Sequence, residues 1–129
     1  MTRLRIAPLA VLATLALAAP AEAASVKGKW KGTVHLVGST TTFSMKMNIK
    51  RTKVGSTAGT LSNPGTPCRG TLTVTARRNG TVWLQYNERS NTSSCTGDDK
   101  IVIRRKGKRL RWHATAPSGQ VGKALLRRA

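Results

Sequence analysis

The groups that could do acid–base, nucleophilic or metal chemistry are few. From residue 24 onward the carboxylates are Glu88, Asp98 and Asp99, the imidazoles His35 and His113, and the thiols Cys68 and Cys95. General acid–base catalysis needs titratable groups poised across a reacting bond, and nucleophilic catalysis needs a hydroxyl or thiol beside a base. Asp98 and Asp99 are adjacent in a polar stretch, and the serines and threonines have no evident histidine–aspartate partnership. No glycine-rich phosphate loop leads from a strand into a helix. This inventory argues against an enzyme. Two cysteines and two histidines could hold zinc on paper, but His35 and His113 lack the short paired spacing of such sites. Met45 and Met47 could offer thioethers to copper(I), although flexible core filler is the stronger reading. Asp98–Asp99 brings no further oxygen ligands for a hard cation. No cofactor is implied.

Three features remain as ligand-binding candidates. Glu88 shares the parity of Val82, Leu84 and Tyr86, and so points inward at the end of a strand. There it would pair with an arginine, as an ion pair closing the fold or as a polar anchor for a ligand. Trp83 has the opposite parity and would lie on the outer face beside Arg77 and Arg78. It would pack across strands or stack on a sugar or base. Arg104, Arg105, Lys106, Lys108 and Arg109 surround Gly107 and make the densest run of charge.

Those residues sit on elements with the period of strands. Leu72 and Val74 alternate with Thr71, Thr73 and Thr75; Val82, Leu84 and Tyr86 alternate with Thr81, Trp83 and Gln85. Asn79-Gly80 between the two runs is the signature of a type I′ hairpin, which needs positive φ at both central residues. Cys68 and Cys95 then fall at the open end of that hairpin. A Cys68–Cys95 disulfide would cross it, and closing a loop of roughly 28 residues stabilises by about 3.5 kcal/mol in the chain-entropy model.

Further alternating runs bring the count to eight short strands, at about 28–37, 41–51, 55–61, 69–77, 81–89, 100–105, 109–115 and 120–127. Ala58 and Gly59 make the third weak, and the parity of the last is ambiguous. No helix is expected. Eight antiparallel strands with tight connections close into an up-and-down β-barrel, which removes exposed edges; a β-sandwich is the alternative. The inward set is Trp30, Val34, Leu36, Phe43, Met45, Met47, Ile49, Leu72, Val74, Val82, Leu84, Tyr86, Ile101, Ile103, Leu110 and Trp112. That set suffices for a core and leaves no evident empty cavity.

The first residues read differently. Arg3 and Arg5 precede an apolar run from Ile6 to Ala19, and Ala21 and Ala23 offer small residues at a cleavage site. This is the layout of a secretory signal peptide, residues 1–23, ahead of a single barrel domain, 24–129. The run is short for a membrane anchor, which needs about twenty apolar residues, and no transmembrane span is expected after cleavage. Export makes a disulfide the natural state of two cysteines. The whole chain carries 23 basic and 4 acidic residues, net +19. Losing Arg3, Arg5 and Glu22 leaves 21 basic and 3 acidic groups, net +18. Such a domain attracts polyanions.

Two resemblances follow from particular residues. Gly28-Lys29-Trp30 resembles the Gly-x-Trp that opens the first strand of calycins (lipocalins and avidins), which implies that Arg127 or Arg128 packs on Trp30. Trp30-Lys31-Gly32-Thr33-Val34, Gly59-Thr60-Leu61, Cys68-Arg69-Gly70-Thr71-Leu72-Thr73-Val74, Glu88, Cys95, Leu110-Arg111-Trp112 and Leu126-Arg127 resemble a family of actinobacterial extracellular β domains. These occur alone as secreted proteins and as the outer part of receptor-like serine/threonine kinases. The resemblance implies fold and an extracellular location, and carries over no functional residue. The expected function is a secreted, non-enzymatic binding module at the cell envelope, contacting an anionic polymer. The alternatives are a small-molecule carrier or sensor binding inside a calycin-like barrel, and a secreted inhibitor presenting the loop Asn91–Cys95 to an acidic enzyme.

Overall fold

Eight alternating stretches become eight strands in the structure, a computed structural model that describes residues 25–129. The signal peptide and cleavage point expected from the sequence lie outside the described residues. The strands are β1 (Gly28–Leu36), β2 (Thr42–Ile49), β3 (Thr57–Ser62), β4 (Arg69–Arg78), β5 (Thr81–Glu88), β6 (Lys100–Lys106), β7 (Arg109–Thr115) and β8 (Val121–Arg128). Each pairs antiparallel with its neighbour, and β8 returns to β1, so the sheet is a closed barrel in simple up-and-down order. Among the described residues there is no helix. Asn79 and Gly80 take φ of 50° and 83°, as the two-residue turn requires. The Cys68–Cys95 disulfide is formed.

The inward set is the core, with two exceptions: Leu36 and Phe43 are only partly buried. Both lie where their strands meet the same end of the barrel. The ambiguity of β8 is resolved in favour of Gly122, Ala124 and Leu126, which are buried, while Leu125 is 47% exposed. Packing decides it. A Cβ on Gly122 would stand 3.0 Å from Val34 Cγ1 and 3.5 Å from Trp112 Cζ3, so glycine lets both side chains pack closely against β8. β3 is a full member of the barrel. Ala58 and Gly59 are both buried, which strict alternation forbids and a β-bulge between Thr57 and Gly59 permits.

A second bulge, between Val74 and Ala76, sets the outer face of the central hairpin. It places Ala76 opposite Trp83 and Arg77 opposite Val82. Trp83 is on the outer face as expected, 37% exposed, but its lateral neighbours are Ala76 and Val102. Arg78 and Arg104, each opposite Thr81, share that face diagonally.

One end of the barrel is plugged. Trp30 is fully buried there, and its indole N–H donates to the Val26 carbonyl at 2.9 Å. The Arg128 guanidinium lies 4.0 Å from the Trp30 ring centre and donates to the Lys27 carbonyl at 2.7 Å. Gly28, at φ 125°, makes this possible, because a Cβ would overlap the guanidinium. Arg105 approaches the same ring at 5.5 Å and donates to the Ser25 and Gly107 carbonyls. Of the two basic residues expected against Trp30, it is Arg128 that stacks.

Candidate functional site at the open end of the barrel

The opposite end is not filled. A cavity of about 300 Å³ enters the barrel between the loops that follow β3 and β5. Its inner wall is apolar, from Phe43, Met45, Leu61 and Ile101, with the rings of Tyr86 and Trp112. Its rim carries Glu88, Asp99, Asn63, Thr66 and the Cys68–Cys95 bridge. The sequence leaves open whether the interior is packed, and the structure shows a cavity: Phe43, Met45, Tyr86, Ile101 and Trp112 of the inward set line it, and the partly buried Leu36 ends β1 at the same end of the barrel.

Backbone pairing positions the polar rim. β5 and β6 continue past their last ladder pair: the Tyr86 amide donates to the Asp99 carbonyl at 2.9 Å, and the Asp98 amide donates to the Tyr86 carbonyl at 3.1 Å. Asp98 takes a positive φ of 62° to make this corner. Asp99 keeps the parity of Ile101 and Ile103, and so turns its carboxyl inward. Gly70 packs under Tyr86, since a Cβ there would come within 2.8 Å of the ring.

Glu88 has the inward placement expected of it but not the expected partner. Its Oε1 accepts from the Tyr86 hydroxyl at 2.6 Å, and its Oε2 accepts from the Ser90 amide at 2.9 Å and the Arg69 amide at 3.2 Å. All three donors are neutral, and none is a guanidinium. The turn after β5 and the start of β4 bring the Ser90 and Arg69 amides within reach of this carboxylate. Burial pushes the Glu88 carboxyl up, but the hydrogen bonds from Ser90, Tyr86 and Arg69 outweigh it and bring it down to about 2. Tyr86 moves the other way: burial, then its bond to Glu88, raise the phenol above its usual value.

Two cavity-lining groups have no partner. Trp112 is 5% exposed, and its Nε1 is buried without an acceptor. Asp99 Oδ1 is buried without a donor. Burial first, then the charges of Asp98 and Glu88, raise the Asp99 carboxyl to about 6. Such orphaned groups are rare in folded proteins, and each costs on the order of 1–3 kcal/mol.

The other sequence candidates are elsewhere. Arg104 donates to Thr81 on the outer wall at 2.9 Å, and Arg105 belongs to the Trp30 plug. Lys106 and Arg109 face each other across the β6–β7 turn that also holds Lys108, far along the strands from Glu88. Arg104, Arg105 and Lys106 still border one shallow groove of about 230 Å³ with Arg111, and Arg104, opposite Thr81, is a diagonal neighbour of Trp83; Glu88, at the other end of the barrel, is not part of this patch. Asp99 lines the cavity and is not among the ligand-binding candidates read from the sequence. Parity could have found Asp99, which falls in phase with Ile101.

The outer wall has its own pattern. Lys106 is opposite Arg109, Arg104 opposite Arg111, Arg127 opposite Lys31, and Lys31 opposite Lys46. Directly opposed like charges destabilise a sheet. Lys31, Lys46 and Arg127 border a shallow groove of about 210 Å³ with Thr33, Ser44 and Pro64. Among the described residues no group of three histidine, cysteine or acidic side chains is placed to hold a metal ion. Comparison with family models, curated proteins and solved structures finds no match to this chain.

Proposed function

We propose that the protein is a secreted, non-enzymatic binding protein whose ligand is a small molecule held in the open end of the barrel. The observation that carries this is the cavity of about 300 Å³ lined by Trp112 and Asp99, whose Nε1 and Oδ1 are buried without partners. The volume is at the lower end of the range for small-molecule pockets, and apolar walls with a few convergent polar groups are their usual composition. The disulfide fits an oxidising exterior. A thermal-shift screen of a fragment library tests the reading. Some compounds are expected to raise the melting temperature of the native protein and to lose that effect on Phe43→Trp, which narrows the cavity. Hits that act equally on both proteins, or a library without hits, would remove the basis for it.

A second contact is favoured by the opposed cations of the outer wall. We assign them to an anionic envelope polymer, whose charges would relieve the repulsion between Lys31, Lys46 and Arg127. The protein should then sediment with purified cell wall at low salt and be released as salt rises; salt-independent sedimentation would count against it.

A further inference from the structure

We infer that the cavity selects small organic cations: an ammonium group hydrogen-bonded to Asp99 at the rim, on an apolar body that also offers an acceptor to the Trp112 indole N–H. This rests on the small-molecule reading above and names the ligand's class.

The two orphaned groups have opposite needs. An indole N–H only donates and requires an acceptor, whereas an ionised carboxylate only accepts and requires a donor. Trp112 and Asp99 both line the cavity, and Trp112 Nε1 and Asp99 Oδ1 are buried without a partner. A ligand carrying one of each would satisfy both. Charge then decides the kind of donor. All three carboxylates after residue 23 lie at this end of the barrel: Glu88 and Asp99 line the cavity, and Asp98 is next in the chain. The groups that act on the Asp99 carboxyl are Tyr86 and Glu88 on β5 and Asp98 in the same loop, and Trp112 on β7 lines the same cavity. Lys100 follows Asp99 but has outward parity and is exposed. Glu88 is held by the Tyr86 hydroxyl and two backbone amides, so it keeps its negative charge without a cation. In a chain with 23 basic residues, the cavity rim presents acids with neutral partners.

An ammonium ion suits that field. It donates a charge-assisted hydrogen bond to Asp99, roughly twice as strong as a neutral one. It also offsets the cost of burying the charge and the repulsion from Asp98 and Glu88, which together keep the Asp99 carboxyl protonated up to about pH 6. Binding would release a proton below that pH and tighten as pH rises from 5 to 7. The apolar body would lie against Phe43, Met45, Leu61 and Ile101. A carboxylate ligand would meet Glu88 and Asp99 as like charges.

The test uses a ladder of arylalkyl and alkyl primary amines, each beside its alcohol and carboxylate analogue, titrated into the disulfide-bonded protein. Indole N–H signals in proton–nitrogen NMR spectra give affinity and site together, with Trp112→Phe assigning the Trp112 signal. The expected result is binding of the amine about tenfold tighter than of the matching alcohol at pH 7, weakest binding of the carboxylate, and a shift of the Trp112 N–H. Asp99→Asn should abolish the preference for amine over alcohol while both still shift the Trp112 N–H, a readout that separates a lost charge contact from a misfolded site. Alcohols binding as tightly as amines, or an amine preference that survives Asp99→Asn, would overturn the inference and leave the small-molecule reading standing. Absence of binding by every member of the ladder would overturn both.

Discussion

Asp99 and Glu88 sit on one rim and titrate in opposite directions, which gives the protein a specific acid profile. Asp99 rises from an ordinary 3.8 to about 6, so its native state holds a proton that the unfolded chain has lost between those values. The stability it contributes is fully present below about pH 4 and is lost as pH rises through 6. Glu88 falls from 4.5 to about 2, so its contribution is present above 4.5 and lost as pH falls through 2. Together they place the acid-side maximum of stability near pH 4. Asp99→Asn should be more stable than the native protein at pH 7.5, by about 1 kcal/mol once solvent screening of a half-exposed group is allowed for. The two proteins should converge at pH 4; denaturant titrations at both values check this. Glu88→Gln should lose about 1 kcal/mol at pH 7 through weaker acceptance from Tyr86, Ser90 and Arg69, and little at pH 2.

Among the elements, period-two patterning made the strands legible, because each face of a closed barrel meets either core or solvent. β1, β2, β4, β5, β6 and β7 declare their inward residues in this way. What stayed hidden depends on contacts between distant residues. The bulge beside Gly59 allows two consecutive buried positions, and no local rule announces it. The parity of β8 turns on Gly122 sitting against Val34 and Trp112, which are far off in sequence. Asp99 looked like loop because its strand pairing, through the corner at Asp98, lies beyond the last apolar residue of β6. The Trp30 plug is where an element can be tested. Arg128→Ala removes a stacked cation and a hydrogen bond to Lys27, and should cost about 2 kcal/mol. Arg128→Lys should recover less than half of that, since an ammonium cannot stack as a planar guanidinium does. Ligand affinity at the open end should not change in either variant, which equilibrium unfolding and titration measure separately.

Across the whole molecule, charge is polarised. The sequence states the excess of cations, but only closure of the barrel shows that the acids gather at one end while like charges face each other on the wall. The two proposed contacts then respond to salt with opposite signs. Polyanion binding weakens steeply as salt rises, because released counterions are replaced. Binding of an ammonium ligand in the cavity opposes the long-range field of the net +18 domain, which salt screens beyond about 8 Å at physiological ionic strength, while the buried contact with Asp99 is screened far less. Raising salt from about 0.05 to about 0.5 M should release the protein from cell wall and leave amine affinity unchanged or higher. Sedimentation and titration in the same buffers compare the two.

The simple meander with a plug at only one end has a kinetic consequence. Every strand runs from the sealed end to the open one or back, so successive strands meet Trp30 and its arginines at alternate termini. Local opening begins where buried apolar contacts are fewest. Amide hydrogen exchange should therefore be fast near Leu36 and Thr42, slow near Trp30 and Met47, and rise and fall once with each pair of strands. The Cys68–Cys95 bridge should interrupt that rhythm, holding the mouth ends of β4 and β5 closed while their neighbours breathe.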